Sequence, residues 1–219
     1  MGGYDGWMED TSFNEDQDTG RLNGAGLRRG WTTGACATAA AKGAYEALLS
    51  GTFPNPVTIR LPRGQRAEFR LIKPELGTHS ATATVIKDAG DDPDVTHGAE
   101  ISCTVTPCQS GAGVQFAAGP GVGTVTLPGL PIPPGEPAIN PKPREMITGA
   151  LTEIAAEFGV RADVLVTVSI PDGVALAEKT ANPRLGIVGG LSVLGTTGVV
   201  IPYSCASWIH SIHRAVDVA

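Results

Sequence analysis

Residues 87–98, KDAGDDPDVTHG, crowd Asp88, Asp91, Asp92, Asp94 and His97 into one short polar stretch broken by Gly90 and Pro93. Carboxylates that close repel one another unless a cation or a set of donors faces them. A hard cation with oxygen ligands is one solution, with His97 as a general base or a further ligand. The calcium-loop pattern requires glutamate at its twelfth position, and Gly98 stands there instead. Asx turns at Asp91 and Asp94, which would supply backbone amides, are the structural alternative. Spacing alone leaves both open.

A second constellation is GWTTGACATAAAKGA, residues 30–44. A helix beginning there would offer unpaired amides and a partial positive charge to an anion such as a carboxylate. Thr32 and Thr33 add hydroxyls, Gly34 permits close approach, and Lys42 lies about two turns along. The competing reading is an ordinary cap on an alanine-rich core helix. Cys36 falls in the first turn, and is read as a small buried thiol rather than a nucleophile. Gly189, Gly190, Gly195, Thr196 and Thr197 belong to the run GIVGGLSVLGTTG, whose backbone could cradle a ligand or serve close strand packing. GPGVG at 119–123 leads into a strand pattern and so fails the dinucleotide fingerprint. Arg60, Arg63, Arg66 and Arg70 gather around a hairpin pattern, where they could receive carboxylates or solubilise an edge. His210 and His213 share a helical face and read as a solvated pair.

These residues need elements to hold them. LRRGWTTGACATAAAKGAYEALLSG (27–51) reads as a helix capped by Thr32 or Thr33 and stopped by Gly51. VTIRLP (57–62) and RAEFRLIKP (66–74) alternate as a hairpin about Arg63 and Gly64. ATATVIKDAG (81–90) and EISCTVTPC (100–108) are further strands joined by the acidic stretch. Residues 143–159 form an amphipathic helix, 162–173 a strand and 174–180 a short helix. Strands and helices mix without regular alternation, which indicates a two-layer α+β domain.

Composition excludes several classes. The formal net charge is -6. Six of the acids, with Arg21 as the one base, fall in residues 1–26, an acidic tail read as disordered. The near-neutral remainder carries no footprint for nucleic acid. The tail lacks the basic and apolar regions of a signal peptide. Residues 185–209 are uncharged, yet their glycines, Pro202 and hydroxyls read as buried strand and turn rather than a membrane span. A soluble, cytoplasmic protein with free thiols is expected.

Four segments in order, RRGWTTGACATAAAKGA, IKDAGDDPDVTHGAEI, GLPIPPGEPAINPKPREMI and KTANPRLGIVGGLSVLGTTG, resemble the CbiD family of cobalt-precorrin-5B C-1 methyltransferases. The resemblance runs from about residue 27 to 200. It implies a CbiD-type α+β domain over 27–195, then a linker and the first helix of a truncated Rossmann-like domain over 196–219. It implies S-adenosyl-L-methionine as methyl donor and a cobalt-precorrin tetrapyrrole as substrate, the cobalt arriving inside that substrate and no metal being held by the protein. Asp91, Asp94 and His97 become catalytic candidates. Thr32, Thr33, Gly34, Lys42, Asp88 and Arg184 become substrate-binding candidates. Gly189, Gly190, Gly195, Thr196 and Thr197 become candidates for the methyl donor. A non-catalytic tetrapyrrole-binding fragment is the alternative, and assembly as a homo-oligomer is left open.

Overall fold

The computed structural model describes residues 26–204 together with His213 and Val216. The expected acidic tail and the helix expected after residue 205 lie almost wholly outside the described residues. In chain order the elements are β1 (Gly30–Trp31), α1 (Thr33–Ser50), β2 (Val57–Arg60), β3 (Arg66–Phe69), β4 (Ile72–Leu76), β5 (Ala81–Ile86) and β6 (Glu100–Pro107). Then come β7 (Val114–Ala118), β8 (Gly121–Val122), β9 (Thr124–Val125), α2 (Pro141–Glu157), β10 (Val164–Ser169) and α3 (Gly173–Ala177). A 3-10 turn at Asn182–Leu185 leads to β11 (Ile187–Val188), β12 (Gly190–Leu191) and β13 (Val199–Val200).

The main sheet has the order β4-β5-β6-β10-β7, antiparallel except for the parallel β10–β7 pair. Period-two alternation sorts its faces. Ala81, Ala83, Val85, Ile101, Cys103, Val105, Val164, Val166 and Val168 are buried on one side. Hydroxyls occupy the other, with Thr82 bonded to Thr104 at 2.8 Å and Thr84 to Ser102 at 2.7 Å. The apolar face carries α1, which also packs on α2 and on the β2–β3 hairpin. This is the expected two-layer α+β arrangement, with the hairpin added beyond the helices.

Enclosure on several sides explains the composition of α1. Ala35, Ala37, Ala39, Ala40, Ala41, Ala44 and Ala47 are fully buried, and small side chains let neighbouring elements approach the helix axis closely. A Cβ on Gly43 would lie 2.5 Å from Leu71 Cδ1. Both ends match the sequence expectation. Thr32 Oγ1 accepts from Ala35 N–H, and Gly51 closes the helix at φ 80°.

Two differences appear, and the strand-and-turn reading of the uncharged run holds over its described residues. VQFAA forms β7, which the long uncharged segment had concealed. Residues 185–204 resolve into β11, β12, β13 and turns, and no helix among the described residues is long and apolar enough to cross a membrane. Finally, β13 pairs with β1, so the unit extends beyond residue 195 rather than passing into a free linker there.

Leu151 of α2 is fully buried in the core beside these elements. Leu151→Ala is expected to lower stability by about 2–5 kcal/mol through lost burial plus the cavity left behind, read as a reduced urea midpoint with an unchanged slope.

Candidate functional site

The acidic stretch leaves β5 at Lys87. The alternation that buries Ala81, Ala83 and Val85 buries Lys87 as well, to 1% exposure. A buried ammonium requires an acid partner, and Lys87 Nζ lies 2.6 Å from Asp94 Oδ2. The other Asp94 oxygen accepts from Thr96 N–H at 2.8 Å and Thr96 O–H at 2.6 Å. Burial alone pushes the Asp94 carboxyl up, but the Lys87 ammonium and the Thr96 donors outweigh it and hold Asp94 below its usual value.

The remaining carboxylates are satisfied in the same way. Asp88 pairs with the Arg28 guanidinium through Oδ2 and accepts from Gly90 N–H at 3.0 Å through Oδ1. Asp91 accepts from Arg28 N–H at 2.7 Å, and Asp92 from Tyr203 N–H at 3.0 Å. Two cations and a set of backbone and hydroxyl donors therefore offset the charge density. Among the described residues no group of three or more metal-ligating side chains is assembled. His97, like Asp91, is exposed. Its Nδ1 accepts from Ala89 N–H at 3.1 Å, which places the neutral ring's proton on Nε2. The 3.9 Å approach of Nδ1 to Asp88 is then no ion pair, because an accepting Nδ1 carries no proton.

Strand β1 ties this turn to the start of α1. Trp31 N–H donates to Asp88 O at 2.7 Å, and Thr32 N–H to Gly198 O at 3.0 Å. Gly34 N–H donates to Leu194 O at 2.8 Å. The helix-start amide expected to receive a substrate anion at Gly34 is thus occupied from within the fold. Gly195 packs on the same cap, since a Cβ there would stand 2.2 Å from Thr32 Oγ1. One end of α1 accordingly gathers Thr32, Thr33, Gly34, Asp88, Asp91, Asp94, His97, Gly195, Thr196 and Thr197. Lys42 lies ten residues along the helix from Thr32, about 15 Å away, with Nζ on Thr58 O at 2.9 Å.

The chain resembles known proteins over most of its length. The CbiD family profile matches residues 21–202. The chain belongs to the CbiD family. A Brucella anthropi protein named cobalt-precorrin-5B C(1)-methyltransferase is 63% identical over 195 residues, covering 89% of this chain and 53% of that protein. A Bradyrhizobium protein of the same name is 63% identical over 193 residues, covering 88% and 51%. The chain therefore spans about half the length of the curated relatives it matches. The crystal structure of cobalamin biosynthesis protein CbiD from Archaeoglobus fulgidus aligns with TM-score 0.63 and 33% identity, over 86% of this chain and 59% of that one.

Within this CbiD unit the glycine run divides. Gly190 is buried against β8, where a Cβ would meet Gly121 O at 2.2 Å. Gly189 (φ 87°) has open space around it, Thr196 is exposed, and Thr197 Oγ1 donates to Val199 O at 3.0 Å. Gly190 and Gly195 thus serve internal packing, the close-packing alternative named for this run. Arg184 is exposed in the 3-10 turn without an ion-pair or hydrogen-bond partner among the described residues. Cys36 and Cys103 are fully buried, and burial pushes the Cys36 thiol up to about 12. Neither is a nucleophile at neutral pH.

Sequence reasoning missed Lys87 and Arg28 as the offsetting cations. The signal for Lys87 was present in its inward parity along β5; Arg28 carried none.

Lys87→Met is expected to destabilise the fold by about 3 kcal/mol, the lower end for buried pairs because Asp94 is 26% exposed. The folded Asp94 carboxyl titrates below its unfolded value of about 3.9. Its stabilisation is therefore present above that pH and is lost as the pH falls through the folded value. Asp94→Asn should consequently lose less stability than the parent chain between about pH 5 and about pH 3, measured as urea midpoints.

Proposed function

We propose that this chain forms the substrate-side part of an S-adenosylmethionine-dependent methyltransferase acting on carbon 1 of cobalt-precorrin-5B to give cobalt-precorrin-6A in cobalamin biosynthesis. The observation that carries the reading is the 63% identity over 195 residues to a protein bearing that methyltransferase name. The geometry supports it by bringing six separately predicted polar residues of the α1 cap and acidic turn to one end of the helix. The substrate is a tetrapyrrole with carboxylate side chains, and its cobalt is cargo rather than a protein-bound metal.

Methyl transfer asks the protein chiefly for positioning and electrostatics. Bound S-adenosylmethionine would supply the electrophilic sulfonium methyl. The glycine run does not fit that group as a closed cradle, because Gly190 and Gly195 are filled by Gly121 and Thr32. What the chain itself offers is a rigid platform. The acidic turn is fixed by Lys87 and Arg28, and His97 presents Nε2–H outward from it as a donor to a substrate acceptor. Asp91 and Asp94 act in this reading as positioning groups that hold the His97 loop, while Thr33 and Lys42 flank the macrocycle.

A second reading, a tetrapyrrole-binding unit that does not turn substrate over alone, is favoured by the coverage of about half of each relative. Isothermal titration with S-adenosylhomocysteine of this chain and of the Brucella anthropi relative tests the substrate-side assignment that both readings share. Heat from the relative alone is the expected result, given the packing of Gly190 and Gly195. Equal heat from both would place a complete donor site on this chain and sink the substrate-side assignment. Absence of methyl incorporation into cobalt-precorrin-5B by the relative would overturn the reaction itself.

A further inference from the structure

Nearly every charged group around the acidic turn has a partner, but the β2–β3 hairpin is different. Arg60 and Arg66 stand directly opposite each other in the strand register, and both are exposed. Arg63 lies in the connecting turn, and Arg70 follows on the same face as Arg66. None of these four arginines has an ion-pair or hydrogen-bond partner among the described residues. Glu68 shares their face and sits opposite Thr58, so it offsets part of the charge without pairing.

Like charges directly across a strand pair destabilise a hairpin. The inward residues Val57, Ile59, Ala67 and Phe69 are buried and suffice to hold the hairpin on α1. The Arg60–Arg66 pair is therefore no device for stability, and Arg60 lines a concave surface beside the hairpin. A cleft of about 280 Å³ runs between β2 and α2, lined among others by Lys42, Arg60, Leu61, Lys142, Met146 and Glu153. Lys142 is offset by Glu145 at 2.6 Å. Lys42 is half-buried and gives one donor to Thr58 O, leaving two N–H groups of the ammonium uncommitted. At its other end the cleft meets the α1 cap, because Leu61 packs 2.6 Å from the Cβ position of Gly198.

We propose that this cleft is a carboxylate-docking subsite, in which Arg60, with Lys42 at the wall and Arg66 across the strand pair from Arg60, receives acidic side chains at the periphery of the corrinoid substrate. The inference rests on the function proposed above and assigns the residues that would orient the macrocycle. Arginine suits the task because its planar fork bonds a carboxylate through two parallel N–H groups. A pair of arginines held at cross-strand distance can grip two carboxylates, or chelate one, once the ligand removes their mutual repulsion. The cleft then directs the ring toward the α1 end, where Thr33 and His97 lie.

The test is fluorescence titration of the 219-residue chain with uroporphyrin, an octacarboxylate tetrapyrrole, and with mesoporphyrin, a dicarboxylate. The parent is compared with Arg60→Gln/Arg66→Gln, with Lys42→Gln, and with Arg161→Gln, a control outside the cleft lining whose side chain is 76% exposed. The expected result is preference for uroporphyrin, about tenfold weaker binding in the double variant, a smaller loss in Lys42→Gln, and no change in Arg161→Gln. The melting temperature of the double variant should stay equal or rise, since a repulsive pair has been removed. A fall in melting temperature with unaltered affinity would assign the arginines a structural role and overturn the proposal. Uroporphyrin binding that ignores the double substitution would overturn the cleft and leave the corrinoid reading standing. No binding by the parent would also overturn the cleft, and the corrinoid reading would then be decided by methyl incorporation in the longer relative.

Discussion

The enclosure of α1 is the constraint from which the rest of the structure follows. A helix packed against a sheet, a second helix and a hairpin cannot carry large side chains on any of those sides, so it is built from alanine and glycine. Close packing brings the surrounding backbones within reach of one another. It also buries the helix start, whose amides must then find partners inside the fold. Thr32 Oγ1 takes one and the Leu194 carbonyl takes another. The glycine run is drawn onto the cap for this reason, and Gly195 is glycine because Thr32 occupies the space a Cβ would need.

The same logic governs the acidic turn. It leaves the sheet with an inward lysine, and a buried ammonium dictates where Asp94 must go. Once Asp94 is fixed, Thr96 and the backbone of the turn are fixed with it, and His97 is left facing outward. Arg28 closes the other side and joins the turn to β1, which continues into the α1 cap. Acidic turn and glycine run are thus held by consecutive residues, Trp31 and Thr32. Two motifs more than ninety residues apart in the chain become neighbours through a two-residue strand.

How much of this was legible in the sequence depends on the range of the interaction concerned. The cap at Thr32, the stop at Gly51, the hairpin about Gly64 and the two-layer class follow from local spacing and alternation, and the structure has them. Strand β7 was hidden because VQFAA neither alternates clearly nor carries flanking charge, and its pairing with β10 is a parallel, long-range contact. The partner of Lys87 could be sought from parity along β5, whereas Arg28 reaches Asp88 across sixty residues with nothing local to mark it. The glycine run was legible as close backbone approach but not as to what approaches, since Gly121 and Thr32 are distant in the chain.

A contrast in how charge is handled bears on function. Around the acidic turn each carboxylate is met by a cation, amide or hydroxyl, which makes that region rigid and electrostatically quiet toward a ligand. On the hairpin, Arg60 and Arg66 face one another with no acid paired to either among the described residues, although Glu68 shares their face and Glu153 lines the same cleft as Arg60. Rigid neutral joints position groups, and uncompensated charge beside a concavity attracts them. The division places the attractive surface about three turns of α1 away from the organised one. A ligand that engages both must therefore be extended, rigid and acidic at its edge, which is the chemistry of a carboxylated tetrapyrrole.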